Sequence, residues 1–190
     1  MNFIEIKNNK KFKKKNRAIF NFLTSNIEGS IFKFLGYDFF LYFIEINHGK
    51  VFYIEHNKKI VNYIAYIDSV TEKKLKNLII KNIIKRPFFF ILIAFQNINF
   101  FFKFHKFPDN YLQLIHLIIK IDTVKNSSLK KKIDIKIDNL NYKICKSLNF
   151  KGVYAMYNRN NKRASKYYKK NNYTLYNKNF FFNFVKKYIK

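Results

Sequence analysis

Apolar positions recur along this chain with two different periods. Over residues 10–35 they fall at Ile19, Phe20 and Leu23, then at Ile27, Ile31, Phe34 and Leu35. That is helical spacing, with Ser25 or Asn26 placed as a cap between two short helices. From Asp38 the character changes. Phe39–Ile46 is a β-branched and aromatic run, Asn47-His48-Gly49-Lys50 a turn and Val51–Glu55 a second strand. His56-Asn57-Lys58-Lys59 is a second turn and Ile60–Ile67 a third strand, so the pattern predicts an antiparallel meander. His48 and His56 read as exposed turn residues. Thr71-Glu-Lys-Lys opens a helix with Leu75, Leu78, Ile79 and Ile83 on its apolar side, and Pro87 stops it. Residues 87–107 fit helix and strand alike. Tyr111–Ile121 is near-continuously apolar, as suits a strand in the middle of a sheet. Ile133, Ile137, Leu140, Ile144 and Leu148 mark one face of a helix over Lys131–Ser147, with Asp134, Lys136 and Lys143 off it. Val153–Tyr157 is a strand, Asn161–Lys170 a short helix, and Tyr173-Thr-Leu-Tyr with the Phe-rich tail gives one or two closing strands.

At 190 residues the chain has the length of one domain, enough to bury a sizeable core. A formal net charge of +27 and a pI near 10.0 point, taken alone, to nucleic acid or an anionic membrane. The make-up of that charge argues otherwise. Arg stands only at 17, 86, 159 and 163 among 38 basic residues, while Lys, Asn, Ile and Phe crowd every segment, as an A+T-rich genome imposes. Nucleic-acid readers favour the planar fork of Arg, so the charge reads mainly as a solvated lysine surface, without specific nucleic-acid binding. One Cys excludes an intramolecular disulfide and a multi-Cys zinc site and fits a reducing compartment. Cys145 falls in an apolar helical stripe and reads as a buried structural thiol. Met1–Arg17 is basic but lacks the apolar segment of a secretory signal. Pro87–Phe102 holds Gln96, Asn97 and Asn99 and is shorter than the roughly 18 apolar residues of a spanning helix. A cytoplasmic protein without a membrane span is expected.

The most specific pattern lies near the end: Asn161-Lys-Arg-Ala164-Ser-Lys-Tyr167-Tyr168-Lys-Lys-Asn171-Asn172-Tyr173, directly after Gly152-Val-Tyr-Ala-Met-Tyr157. It resembles the last part of the GCN5-related N-acetyltransferase (GNAT) fold. There a strand ends in Asn-rich loop residues, a short helix carries N-x-x-A-x-x-[LY]-Y, and a turn closes it, usually Gly-Phe and here Asn172-Tyr173. The order of predicted elements is similar too, with Lys131–Ser147 supplying the crossover that a parallel strand pair needs. The resemblance spans roughly residues 37–185. It implies an α/β fold: a GNAT-like mixed sheet, an antiparallel meander plus a parallel central strand pair, with helices on both faces. One domain would comprise N-terminal helices over about 10–36, a core over about 37–185, and an insert over about 71–107.

The resemblance further implies acetyl-CoA as co-substrate, no metal, and a primary amine as acceptor, on a small molecule, a protein N-terminus or a lysine. The family holds the pyrophosphate with [QR]-x-x-G-x-[GA], whose backbone N–H groups cradle phosphates at a helix N-terminus. The matching positions here are Lys125-Asn-Ser-Ser128-Leu-Lys130, followed by Lys131. Both glycines are lost, to Ser128 and Lys130. This reads either as a phosphate loop rebuilt with lysines or as a decayed loop on a basic helix end. Ile118, Ile119 and Ile121 would edge the pantetheine groove. Asn158 and Asn161 match the family's positions after the fifth strand, and Ala164 would keep the helix close to the cofactor. Tyr168 matches the aromatic that points a hydroxyl at the thioester sulfur. A phenol with an ordinary pKa near 10 can protonate a departing thiolate of comparable basicity. Tyr167 is assigned to packing. Ribosomal-protein alanine acetyltransferases carry a Glu where this chain has Met156, so the base would be His116 on the fourth strand, or water, with Glu55 a further possibility.

These readings imply an N-acetyltransferase working by direct attack of the amine on the thioester. The alternatives are a catalytically inactive GNAT-fold binding module, motivated by the missing glycines, and a basic protein that binds nucleic acid or anionic membranes.

Overall fold

The structure, a computed structural model, describes residues 2–26, 31–84, 108–119, 127–178, 180 and 182–189, with backbone alone at 31, 34, 82–84 and 116–119. The apolar run 87–107 lies outside the described residues. A seven-stranded sheet of order β1-β2-β3-β4-β5-β7-β6 forms the centre. Its strands are β1 (Phe3–Glu5), β2 (Val51–His56), β3 (Lys59–Ile67), β4 (Tyr111–Ile119), β5 (Gly152–Asn158), β6 (Thr174–Lys178) and β7 (Phe182–Tyr188). Every neighbouring pair is antiparallel except β4 with β5. The parallel pair is connected by the helix α4 (Ser127–Ser147), as predicted for the long amphipathic segment.

Two features of the N-terminal third differ from the sequence reading. Phe39–Ile46 is helical, the second half of α2 (Ile31–Ile46), and not a strand. Its β-branched and aromatic content favours a strand locally, but its polar interruptions do not alternate. Phe39, Phe40, Phe43, Ile44 and Asn47 are buried while Asp38, Tyr42 and Glu45 are exposed, the spacing of a helix with one buried stripe. Gly36 (φ 85°) kinks α2 ahead of this stretch, in a backbone region that side chains rarely adopt. The strand missing from the meander is β1, which pairs with Phe52–Ile54. At three residues on a sheet edge it is too short to show periodicity.

α1 (Lys13–Asn26) and α2 cover one face of the sheet together with α3 (Ser69–Ile84). Ser25 and Asn26 bond back to the Asn21 and Phe22 carbonyls, so they finish α1 and do not cap the next helix. Phe32 meets Phe39, Phe40 and Phe43 at centroid distances of 6.0, 5.4 and 5.2 Å, joining the two halves of α2 over Tyr63, Ala65 and Ile67. The other face carries α4 and α5 (Lys162–Lys170) over Ile64, Tyr66, Leu112, Leu114, Val153 and Ala155. On α4 the stripe Ile133, Ile137, Leu140 and Ile144 is buried as predicted, whereas Leu148 follows the helix end and is exposed. Cys145 is fully buried, and burial pushes its thiol up to about 12. No helix among the described residues is long and apolar enough to cross a membrane.

Candidate active site

The site starts from a defect in the sheet. β4 and β5 pair in parallel from Tyr111↔Gly152 to Leu114↔Ala155, and there the pairing ends. β4 runs on to Ile119 beside β3, and β5 runs on to Asn158 beside β7. The two strands thus part at their C-terminal ends, exposing backbone groups that each would otherwise give the other. In parallel α/β sheets ligands bind at such openings. His116 lies on β4 just past the parting, its backbone opposite Ala65, and Ile119 closes the strand opposite Asn62. Ile121 and Lys125 lie outside the described residues.

α4 begins at Ser127, on the chain leaving β4. Ser128 and Lys131 are exposed in its first turns. Lys130 points elsewhere: its Nζ lies 2.7 Å from Asp134 Oδ2 and 5.9 Å from the centroid of the Tyr167 ring. Asp134 itself is 5% exposed, although the heptad-like reading put it off the buried face. The buried face of α4 is wider than the apolar stripe, because Asp134, Asn141 and Cys145 form a second row beside it.

β5 leads into α5 through a turn built by asparagines. Asn158 Oδ1 accepts the Asn160 N–H at 2.9 Å, and Asn161 Oδ1 accepts the Ala164 N–H at 2.9 Å, which makes Asn161 the N-cap. Both side-chain oxygens are thus engaged in the turn, which does not use their amide N–H groups. At the far end Asn172 adopts φ 60°, the left-handed position where the family's turn has Gly, and the Tyr173 N–H returns to the Tyr168 carbonyl at 2.9 Å. Asn is the non-glycine residue that tolerates this conformation best.

Tyr168 lies between these ends, 7% exposed. Its ring stacks on Tyr157 (5.2 Å) and meets Tyr167 (5.2 Å) and Tyr173 (4.9 Å) edge-on. Burial, with Tyr157 alongside, raises its phenol above the ordinary value, so it stays protonated through neutral and mildly alkaline pH. Tyr173 is fixed in turn by a buried chain that sequence reasoning missed. The Tyr66 hydroxyl donates to Asn141 Oδ1, and Asn141 Nδ2 donates to the Tyr173 hydroxyl at 3.3 Å. This ties β3, α4 and the end of α5 together around the tyrosine cluster. Glu55, weighed as a base, is ion-paired with Lys15 of α1. Among the described residues no group of three or more His, Cys, Asp or Glu side chains could hold a metal ion.

Neither a protein-family model nor a curated protein matches the sequence. The fold has many solved counterparts. An acetyltransferase of the GNAT family from Streptococcus pneumoniae superposes with a TM-score of 0.60 at 12% identity, over 99% of this chain and 98% of that one. The chain has the GNAT fold. Other solved structures of similar fold include the PaiA N-acetyltransferase of Thermoplasma acidophilum, solved with coenzyme A (TM-score 0.57, 10% identity, 98% and 97% coverage). The N-acetyltransferase PseH of Campylobacter jejuni, solved with acetyl coenzyme A, gives a TM-score of 0.54 at 12% identity over 98% of each chain. At such identities the likeness is one of fold. The parted β4–β5 pair, the α4 N-terminus and α5 are its parts that surround the candidate site.

Proposed function

We propose that this chain is an acetyl-CoA-dependent N-acetyltransferase. The observation that carries the reading is the contact of the start of α4 with α5, the helix that bears Tyr168 and is capped by Asn161, next to a parallel strand pair that parts. Acetyl-CoA lays its pyrophosphate against the first turn of α4, where backbone N–H groups and the helix dipole favour anions. Ser128 and Lys131 are exposed at that end. Pantetheine runs into the opening along β4, with Asn158 and Asn161 on the β5 side and Ala164 allowing α5 close approach.

The reaction is direct attack of a neutral primary amine on the thioester carbonyl. The C–N bond forms as the C–S bond breaks, β4 backbone N–H groups polarise the carbonyl, and Tyr168 protonates the leaving thiolate. His116 or water takes the ammonium proton. The phenol holds its proton at working pH, and the burial that raises it also makes it a weaker acid toward the thiolate. Five of the nine described acids, Glu55, Asp68, Glu72, Asp134 and Asp138, are held in ion pairs with lysines, which favours His116 or water as the base. The relatives solved with coenzyme A or acetyl coenzyme A support the choice of co-substrate.

The test is release of free CoA from acetyl-CoA over a panel of primary amines and peptides, with Tyr168→Phe beside the wild type. The variant is expected to lose at least about tenfold in turnover with little change in acetyl-CoA affinity. Full activity in the variant removes Tyr168 from the mechanism. If no amine raises CoA release above the rate in buffer, the catalytic reading gives way to a GNAT-fold binding module.

A further inference from the structure

We propose that Asp134 is a positioning residue that withholds Lys130 from the cofactor phosphates and locks the start of α4 to the helix carrying Tyr168. The proposal rests on the acetyl-CoA reading above. Lys130 stands where the family's loop has its last small residue, so a lysine there suggests a new phosphate ligand. The geometry points the other way. Lys130 Nζ is turned along its own helix onto Asp134 Oδ2 at 2.7 Å, and the Lys130 side chain is 28% exposed against 6% for Asp134. Lys170, the last residue of α5, approaches the same oxygen at 3.8 Å from a side chain that is 65% exposed.

A carboxylate this deeply buried is stable only while its cations stay in place. Lys130 is the closer and drier of the two, and exposed Lys170 contributes little alone. Above the pair lies Tyr167, whose ring Lys130 faces. Asp134 Oδ1 and the Tyr167 hydroxyl are both buried, and neither has a hydrogen-bond partner among the described residues. The Asp134 charge is close enough to act on the Tyr167 phenol. One acid on α4 therefore gathers a lysine from its own helix, a lysine from α5 and the face of Tyr167. Tyr167 meets Tyr168 edge-on at 5.2 Å, so this cluster bears directly on the Tyr168 ring.

Two consequences follow from the charge. Lys130 contributes almost nothing at the phosphates, because its ammonium is already matched, and Asp134 itself repels them. Specificity for acetyl-CoA over a bare nucleotide then comes from the pantetheine wall formed by α5, whose placement Asp134 secures.

Calorimetric titration of the wild type, Asp134→Asn and Lys130→Met with ADP and with acetyl-CoA tests this. Asp134→Asn is nearly isosteric, and it removes the repulsion and frees Lys130. ADP is expected to bind about three- to tenfold tighter. Acetyl-CoA should gain less, so that its preference over ADP falls at least about threefold, a change that loss of stability alone does not produce. The double variant Lys130→Met/Asp134→Asn, titrated alongside, should return ADP affinity to within about twofold of the wild type, since both charges of the pair are then gone and the lysine is not a phosphate ligand. Unchanged or weaker ADP binding in Asp134→Asn overturns the proposal. So does a loss of about tenfold or more in the double variant against the wild type, which would make Lys130 a ligand. Thermal unfolding gives a readout free of ligand. Lys130→Met, which strands the carboxylate, should melt below the wild type, and adding Asp134→Asn should restore much of the loss. A Lys130→Met protein as stable as the wild type contradicts the clamp. If the wild type binds neither ligand, the acetyl-CoA reading fails, and this proposal with it.

Discussion

At the scale of single residues, the sheet depends on Gly152 for a reason the sequence conceals. A Cβ at this first residue of β5 would lie 2.1 Å from the Lys187 carbonyl oxygen and 2.8 Å from the Tyr111 ring. Both neighbours belong to the strands flanking β5, and the carbonyl cannot swing aside as a side chain could. Gly152→Ala is therefore expected to destabilise the protein by at least about 1–3 kcal/mol, read as a lowered midpoint in urea. An unchanged midpoint would mean that β5 and β7 are not this close. The glycine is visible in the sequence, but its partners are 41 residues back and 35 ahead, so the need for it is not. Asn141 and Asp134 were hidden for a related reason. In a chain so rich in Asn and Lys, a polar residue beside an apolar stripe looks like ordinary helix surface. Only the approach of Tyr66, Tyr167 and Tyr173 from other elements makes them interior. The motif at 161–173 was legible because its parts act locally: a cap, a small residue, an aromatic and a turn.

At the scale of elements, α2 shows where propensity misleads. In a strand, Phe40, Tyr42 and Ile44 would share a face, whereas in the observed helix Tyr42 is exposed and Phe43 is buried beside Phe32. Phe43→Ala should then cost about 3–5 kcal/mol and Tyr42→Ala less than about 1. Equal costs at the two positions would favour the strand. α3 carries a pH-dependent anchor. Asp68 Oδ1 accepts the Thr71 N–H at 2.7 Å as an N-terminal cap, while Lys50 Nζ sits 2.5 Å from Oδ2. Burial works against ionisation of this carboxyl, but the bonds from Lys50 and Thr71 outweigh it and its pKa is lowered. A depressed carboxyl contributes stability that is present above its unfolded value, near 3.9, and is lost as pH falls through the folded one. Asp68→Ala should cost about 0.5–2 kcal/mol at neutral pH, and the gap to the wild type should close below about pH 4. A gap that persists in acid would remove the charge from the account. The turns were better read than the helices. Asn57 and Lys58 both take positive φ in the β2–β3 hairpin, at the centre of the turn read over His56–Lys59.

At the scale of the whole molecule, the acids are too few to balance the lysines and most of those described are committed to structure. Glu55, Asp68, Glu72, Asp134 and Asp138 each pair with a lysine from the same or another element. The remaining charge is borne by solvated lysines, which gives a positive exterior. The central topology was legible because its later elements alternate cleanly in period, from β4 to the closing hairpin. The N-terminal strand was not, because edge strands this short carry no pattern of their own. The central claim is that the opening between β4 and β5 and the start of α4 form one acetyl-CoA site despite the lost glycines. The most direct measurement is calorimetric titration of the wild-type protein with acetyl-CoA, with ADP in parallel. One-to-one binding at about micromolar affinity, clearly tighter than ADP, is the predicted result. Acetyl-CoA that binds no better than ADP would show that only charge is being sensed, and would contradict the account.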